Sequence, residues 1–319
     1  GGKQMKIGTG LLILTAGIML LLEGCGHADG SGRQHEARLF GATYMTRNNP
    51  YFDVLNEGIE EVVEANGDIL LTRDPLQDQE KQNEQIQEMI DEGIQMLFLN
   101  PVDWEKVQPA LDACREAGVG IINVDTVVKD RDSVISIIET DNYQAGQLCA
   151  LDMMKRKDKA KIVILNNPIQ TSITNREQGF LDTIADNDNY QVVYREAAAG
   201  EIEVSSHVMA DLLRRDISFD VILGGNDPTA LGALAALQQA RREEGVLIYG
   251  IDGSPDFKAI LDVGYVTGTS AQSPRSIGRK AAETAYRYLD GDPVEKYISL
   301  PSTMITRDNL HEFEIDGWQ

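Results

Sequence analysis

Cysteine is scarce in this 319-residue chain, with three residues in all, at positions 25, 114 and 149. That excludes a disulfide framework. Cys114 and Cys149 lie in helical patterns beside alanines and read as buried thiols acting as small hydrophobes. The four histidines, His27, His35, His207 and His311, are scattered and offer no paired metal-ligand spacing. A net positive charge is also missing. The net charge of -22 argues against nucleic acid, whose backbone needs a basic surface. An acidic surface of this kind serves solubility. There is no Gly-x-Ser-x-Gly elbow, no P-loop and no Gly-x-Gly-x-x-Gly after a strand. Gly224-Gly225 is too short to cradle a phosphate. Asp186-Asn187-Asp188-Asn189 lacks the glycine and distal glutamate of a calcium loop and reads as a solvated turn. No segment is low in complexity, and no long Pro/Gly/Ser linker interrupts the chain.

Long apolar runs are absent too, with one short exception. Ile7 to Leu22 is apolar over 16 residues, against the roughly 20 that a spanning helix needs. Lys3 and Lys6 precede it, which is the pattern of a secretory signal. Its end, Leu22-Glu23-Gly24-Cys25, resembles a bacterial lipobox, although Glu23 departs from the usual small or apolar residue. Residues 1–24 are therefore expected to be a lipoprotein signal peptide, with Cys25 as the lipid attachment. An uncleaved anchor is the alternative. Residues 25–36 are polar and glycine-rich, as in a flexible tether.

The remainder has the make-up of a globular protein. Over the full chain, hydrophobic residues make up 42% and the mean hydropathy is -0.26, with length enough for two domains. From Arg38 onward, strand and helix patterns alternate. Continuous apolar runs appear at 39–44, 68–71, 96–99, 120–124 and 134–138, with helical patterns from Pro50 and over 76–92 and 104–117. A second series starts at Asp141. Its strands are expected at 161–165, 191–196, 221–223, 246–249 and 265–269, and its helices at 142–156, 175–185, 204–215, 229–243, 255–262 and 274–289. Such alternation implies parallel sheets with right-handed crossovers. The expected fold class is α/β, with two doubly wound parallel-sheet lobes and a cleft between them. The tail 308–319, polar with two aromatics, reads as a packed extension.

The strand ends carry the functional signal. Asn49, Asn100, Asp125, Asn226, Asp252 and Gln272 each follow an apolar run, where open α/β sheets bind ligands. Asn and Asp also cap helices and make turns at such places, and for any single position capping is the commoner role. Six together, drawn from both halves, point to a shared site. Carboxylates and carboxamides present two polar atoms in a plane, which suits the adjacent hydroxyls of a polyol. The aromatics Tyr51 and Phe52 could lie against the C–H face of a sugar. Arg176, in Thr174-Asn175-Arg176-Glu177-Gln178-Gly179-Phe180, adds a fork of donors. Two acids against one arginine disfavour an anionic ligand.

These stretches resemble the periplasmic sugar-binding proteins of the ribose-binding type, substrate-binding subunits of ABC importers with the type I periplasmic binding protein fold. The resemblance runs from about residue 38 to 306. It rests on Asn48-Asn49-Pro50-Tyr51-Phe52, Leu99-Asn100-Pro101, Val124-Asp125-Thr126, Asp141-Asn142 with Ala145-Gly146, Arg176 to Phe180, Asn226-Asp227-Pro228-Thr229-Ala230-Leu231-Gly232-Ala233, Gly250 to Asp256 and Ala271-Gln272-Ser273-Pro274. It implies an N-terminal lobe of 37–140 plus 272–299 and a C-terminal lobe of 141–271 plus 300–319, with hinge crossings near Thr140, Ala271 and Ser299. It implies ligand contacts from Asn49, Tyr51, Phe52, Asn100, Asp125, Arg176, Asn226, Asp252 and Gln272, with no cofactor and no metal. It further implies a monomeric, lipid-anchored, extracytoplasmic receptor, not an enzyme, that hands a sugar to an ABC permease and ATPase.

Thr126 stands where ribose binders carry an arginine, Ile251 where they carry an aromatic, Met45 where a small hydroxyl residue is usual, and no aromatic lies near Ala198-Ala199-Gly200. A neutral polyol other than ribose is the expected ligand. The same fold serving as a sensor for a membrane kinase or chemoreceptor is the alternative. A repressor would need a helix-turn-helix before residue 38, where a signal pattern stands instead. An enzyme would need a base or nucleophile matched to the acids.

Overall fold

A computed structural model describes residues 36–319; the signal, tether and Cys25 expectations lie outside the described residues. The first series is β1 (Leu39–Thr43), α1 (Pro50–Ala65), β2 (Ile69–Arg73), α2 (Gln79–Asp91), β3 (Met96–Leu99), α3 (Gln108–Ala117), β4 (Gly120–Val124) and β5 (Ser136–Thr140). The second is α4 (Asn142–Arg156), β6 (Ala160–Asn166), α5 (Thr171–Ile184), β7 (Tyr190–Ala197), α6 (Ile202–Leu213), β8 (Val221–Gly224), α7 (Asp227–Ala240), β9 (Leu247–Asp252), α8 (Pro255–Asp262) and β10 (Gly268–Ala271). Then follow α9 (Pro274–Leu289), β11 (Tyr297–Leu300) and β12 (Thr303–Thr306).

Two six-stranded sheets result, in the orders β11-β5-β4-β3-β1-β2 and β12-β10-β9-β8-β6-β7. All pairings are parallel except the edge pair β10–β12. The strand order reverses between β1 and β3 in one sheet and between β6 and β8 in the other, and crevices open at such switch points. The chain crosses between sheets after Thr140, after Ala271 and between Leu300 and Thr303.

Several boundaries differ from the sequence reading. Helix α2 starts at Gln79, because Asp78 caps it and Leu76 and Gln77 have positive φ. Helix α5 starts at Thr171, ahead of its first apolar repeat and without a side-chain cap. Strand β10 begins at Gly268, since the half-exposed Tyr265 still belongs to the turn after α8. Strands β11 and β12 have no counterpart in the reading, being four residues each and only partly buried. Cys114 and Cys149 are free and buried, as expected.

Each lobe uses glycine to bring two helices into contact. A Cβ on Gly58 would overlap the Arg275 carbonyl, and one on Gly278 the Leu55 carbonyl, across α1 and α9. A Cβ on Gly146 would overlap the Arg176 carbonyl, and one on Gly179 the Tyr143 carbonyl, across α4 and α5. The obstacle is backbone in every case, so the helices must separate to admit a methyl group. Gly278→Ala is therefore expected to destabilise by about 1–3 kcal/mol, which lowers the thermal midpoint by several degrees. An unchanged midpoint in a melting experiment would refute this packing.

Candidate functional site

The strand-end asparagines do two jobs. Asn49 caps α1, its side-chain oxygen accepting from the Tyr51 N–H at 3.1 Å, and Pro50 occupies the first helical turn. In the other lobe Asn226 caps α7 by accepting from the Thr229 N–H at 2.9 Å, while its Nδ2 donates to the Gly200 carbonyl at 3.0 Å. Both also border an interlobe chamber that Tyr51, Phe52, Asp125, Arg176, Asp252 and Gln272 line. Capping and lining, weighed as rivals from sequence, coincide in one side chain.

The two aspartates sit on unusual backbone. Asp125 has φ 62° and Asp252 has φ 149°. Such conformations cost about 1–3 kcal/mol in a non-glycine residue and persist where the surroundings enforce them, typically at functional sites. Asn100 Nδ2 donates to Asp125 Oδ2 at 3.1 Å and Thr126 Oγ1 donates to it at 3.3 Å. Gln272 Nε2 donates to Asp252 Oδ1 at 2.7 Å. Gln272 Oε1 accepts from the hydroxyls of Thr140 at 2.6 Å and Tyr51 at 3.2 Å. Burial, and then the nearby Asp125 carboxyl, push the Tyr51 hydroxyl well above its usual range. A path Thr140–Gln272–Asp252, with Tyr51 also donating to Gln272, thus joins the two sheets. Burial pushes both carboxyls above the usual range, and Arg176 partly restores them.

Arg176 is 3% exposed, on the first half of α5. The glycine crossing of α4 and α5 sets its position. Its Nε donates to Asn142 Oδ1 at 2.9 Å and its Nη1 to the Gly225 carbonyl at 2.8 Å. Nη1 is also 3.8 Å from Asp252 Oδ1. Asn142 in turn donates to Glu139 at 3.1 Å. Burial pushes the Glu139 carboxyl up to about 7.

The lobes touch on either side of the chamber. Val127 N–H donates to Thr171 Oγ1 at 2.7 Å, Thr126 and Ser172 share a hydrogen bond of 3.0 Å, and Gln77 pairs with Glu201. The chamber measures about 20 Å³ and adjoins a mouth pocket of about 380 Å³, with Met45, Asn49, Gln170 and Asn226 bordering both. Phe52 stacks on Tyr44 at 5.6 Å and meets Tyr51 edge-on at 5.2 Å.

Asn100 is not among the lining side chains. It stands behind the wall, accepting from the Met45 N–H at 3.0 Å and bracing Asp125. Sequence reasoning missed Gln170, Ser172 and Trp318. The first two sit at a helix start that periodicity did not reveal. Trp318 comes from the tail. Lys258 Nζ donates to the Gly317 carbonyl at 2.6 Å and to that of Glu314, which brings the Trp318 ring to 6.0 Å from Tyr51 and into the mouth. No sequence signal linked residue 318 to the loop at 51. Among the described residues, no cluster of three or more His, Cys, Asp or Glu side chains could hold a metal ion.

The profile of the periplasmic binding protein domain family matches residues 40–293. The chain belongs to this family. Its relatives include the ribose import binding protein of Bacillus subtilis, 29% identical over 278 residues, 87% of this chain and 90% of that protein. The ribose import binding protein of Escherichia coli is 30% identical over 252 residues, 78% and 84% of the two chains. Among solved structures, the Caulobacter myo-inositol binding protein bound to myo-inositol superposes with a TM-score of 0.82 at 25% identity, covering 89% of this chain and 98% of that one. A Mycobacterium smegmatis solute-binding protein of an ABC transporter with bound glycerol gives 0.82 at 26% identity, covering 87% and 96%. Among the described residues no helix is long and apolar enough to cross a membrane.

Glu139 gives the site a pH signature. Its carboxyl is raised from 4.5 to about 7, so the fold favours its protonated form. Its contribution to stability is then complete below about 4.5 and is lost as pH rises through about 7. Thermal midpoints across this range should fall more for the wild type than for Glu139→Gln. Parallel curves would show that Glu139 titrates normally.

Proposed function

We propose that this protein is the substrate-binding component of an ABC sugar importer, extracytoplasmic and lipid-anchored through Cys25. It binds a monosaccharide or polyol between its lobes. The observation that carries the reading is the convergence, from both sheets, of short amide and carboxylate side chains with an aromatic pair and one guanidinium on a single chamber. Each lobe contributes part of the hydrogen-bonding set, so neither half alone satisfies a ligand's hydroxyls. Closure buries polar groups that the ligand pairs, which makes the bound state favour the closed form.

The crossings at Thr140, Ala271 and Ser299 serve as the hinge. Residues 37–140 plus 272–299 move against 141–271 plus 300–319. The relatives named for ribose import, and the neighbours holding myo-inositol and glycerol, support a polyhydroxylated ligand and action with an ABC transporter. In this reading the protein acts as a monomer beside a membrane permease and ATPase.

A thermal-shift screen of monosaccharides, sugar alcohols and cyclitols, with and without amino substituents, tests the reading. A ligand at about 100 times its Kd stabilises by about 2.7 kcal/mol and should raise the midpoint by several degrees. Calorimetry on that ligand should show Asp252→Ala binding at least about tenfold more weakly. No shift from any compound, or undiminished binding to the variant, would overturn it.

A further inference from the structure

The charge inventory of the chamber does not balance. Asp125 and Asp252 face it, and among the described residues Arg176 is the one cation lining it. The other ionisable groups nearby make their side-chain hydrogen bonds outside the chamber, and the Asp227 carboxyl adds to the negative charge on Asp252. Asp227, behind Asp252, accepts from the Ser254 N–H and the Thr269 hydroxyl, both at 2.7 Å, and lies in the field of the Lys258 ammonium on α8. Glu139, behind Asp125 on β5, has the Asn142 amide. Glu177 is paired with Arg195. Asp125 receives hydrogen bonds from the neutral side chains of Asn100 and Thr126. Arg176 spends two N–H groups on Asn142 and Gly225, stays 3.8 Å from Asp252 and acts on Asp125 through its charge alone. Two buried carboxyls therefore share one guanidinium that hydrogen-bonds to neither.

We propose that the ligand of this chamber is a polyol bearing one ammonium group, an amino sugar or amino-substituted polyol. This rests on the sugar-receptor reading and changes the expected ligand from neutral to singly positive. A buried ion pair forms at acceptable cost when each charge meets its opposite and the remaining lone pairs find donors. An ammonium offers three donors and no acceptor. Asp125 and Asp252 offer acceptors from both lobes. A neutral guest would leave a buried carboxylate unmatched or would enter together with a proton.

The test compares matched pairs at about pH 7.5 by calorimetry in two buffers of different ionisation enthalpy. The probes are D-glucosamine and D-glucose, D-galactosamine and D-galactose, and an amino-deoxy-inositol and myo-inositol, with the N-acetyl form of each amine. The amine of at least one pair should bind about tenfold or more tighter than its hydroxyl partner, and N-acetylation should abolish the gain. Thr126→Arg, which supplies a second guanidinium, should reverse the preference. Asp125→Asn should remove it and serves if the arginine variant fails to fold. Equal or tighter binding of a neutral partner, with or without proton uptake, overturns the proposal and leaves the sugar-receptor reading intact. If no member of any pair binds, the proposal is overturned, and the sugar-receptor reading stands or falls on the wider screen above.

Discussion

Two buried carboxylates, one at the end of a strand in each sheet, meet across the interlobe space with a single guanidinium between them. Most other features of the site follow from keeping Asp125 and Asp252 there. Isolated charges in a water-poor interior are costly, so the surroundings supply amides and hydroxyls to each. Asn100 and Thr126 serve Asp125, and Gln272 serves Asp252. Gln272 is oriented in turn by Thr140, at the point where the chain leaves the first sheet. The amide that holds Asp252 and the hydroxyl that orients it thus stand at two of the crossings between the sheets.

The scaffold makes this possible through repetition. Both sheets place a reversal of strand order under the chamber, and both bring a loop from strand to helix to its rim. In both, paired glycines let two helices approach until backbone nearly touches backbone. In the C-terminal lobe that approach sets the height of Arg176. In the N-terminal lobe it fixes α1, whose first turn carries Tyr51 and Phe52. Local capping, helix contact and ligand wall are served by the same few residues.

Much of this was legible in the sequence. Apolar runs of four to six residues marked most strands, and the Asn-Pro and Ser-Pro pairs marked helix starts at Pro50, Pro255 and Pro274. Polar residues at strand ends announced the chamber. What stayed hidden depends on distant contacts. Strands β11 and β12 are short and half-covered, so their pattern carries no period. Trp318 reaches the mouth only because a buried lysine on α8 gathers the tail. Asn100 has the sequence context of a lining residue, and only three-dimensional placement shows it bracing Asp125 from behind. The positive φ of both aspartates also has no sequence signature, since neither position carries glycine.

The central claim is that a ligand held by both lobes draws them together. Small-angle X-ray scattering of residues 26–319, with and without a bound sugar or polyol, tests it most directly. The account predicts a smaller radius of gyration and a narrower distance distribution on saturation. Scattering that remains unchanged while calorimetry shows the ligand bound would contradict it.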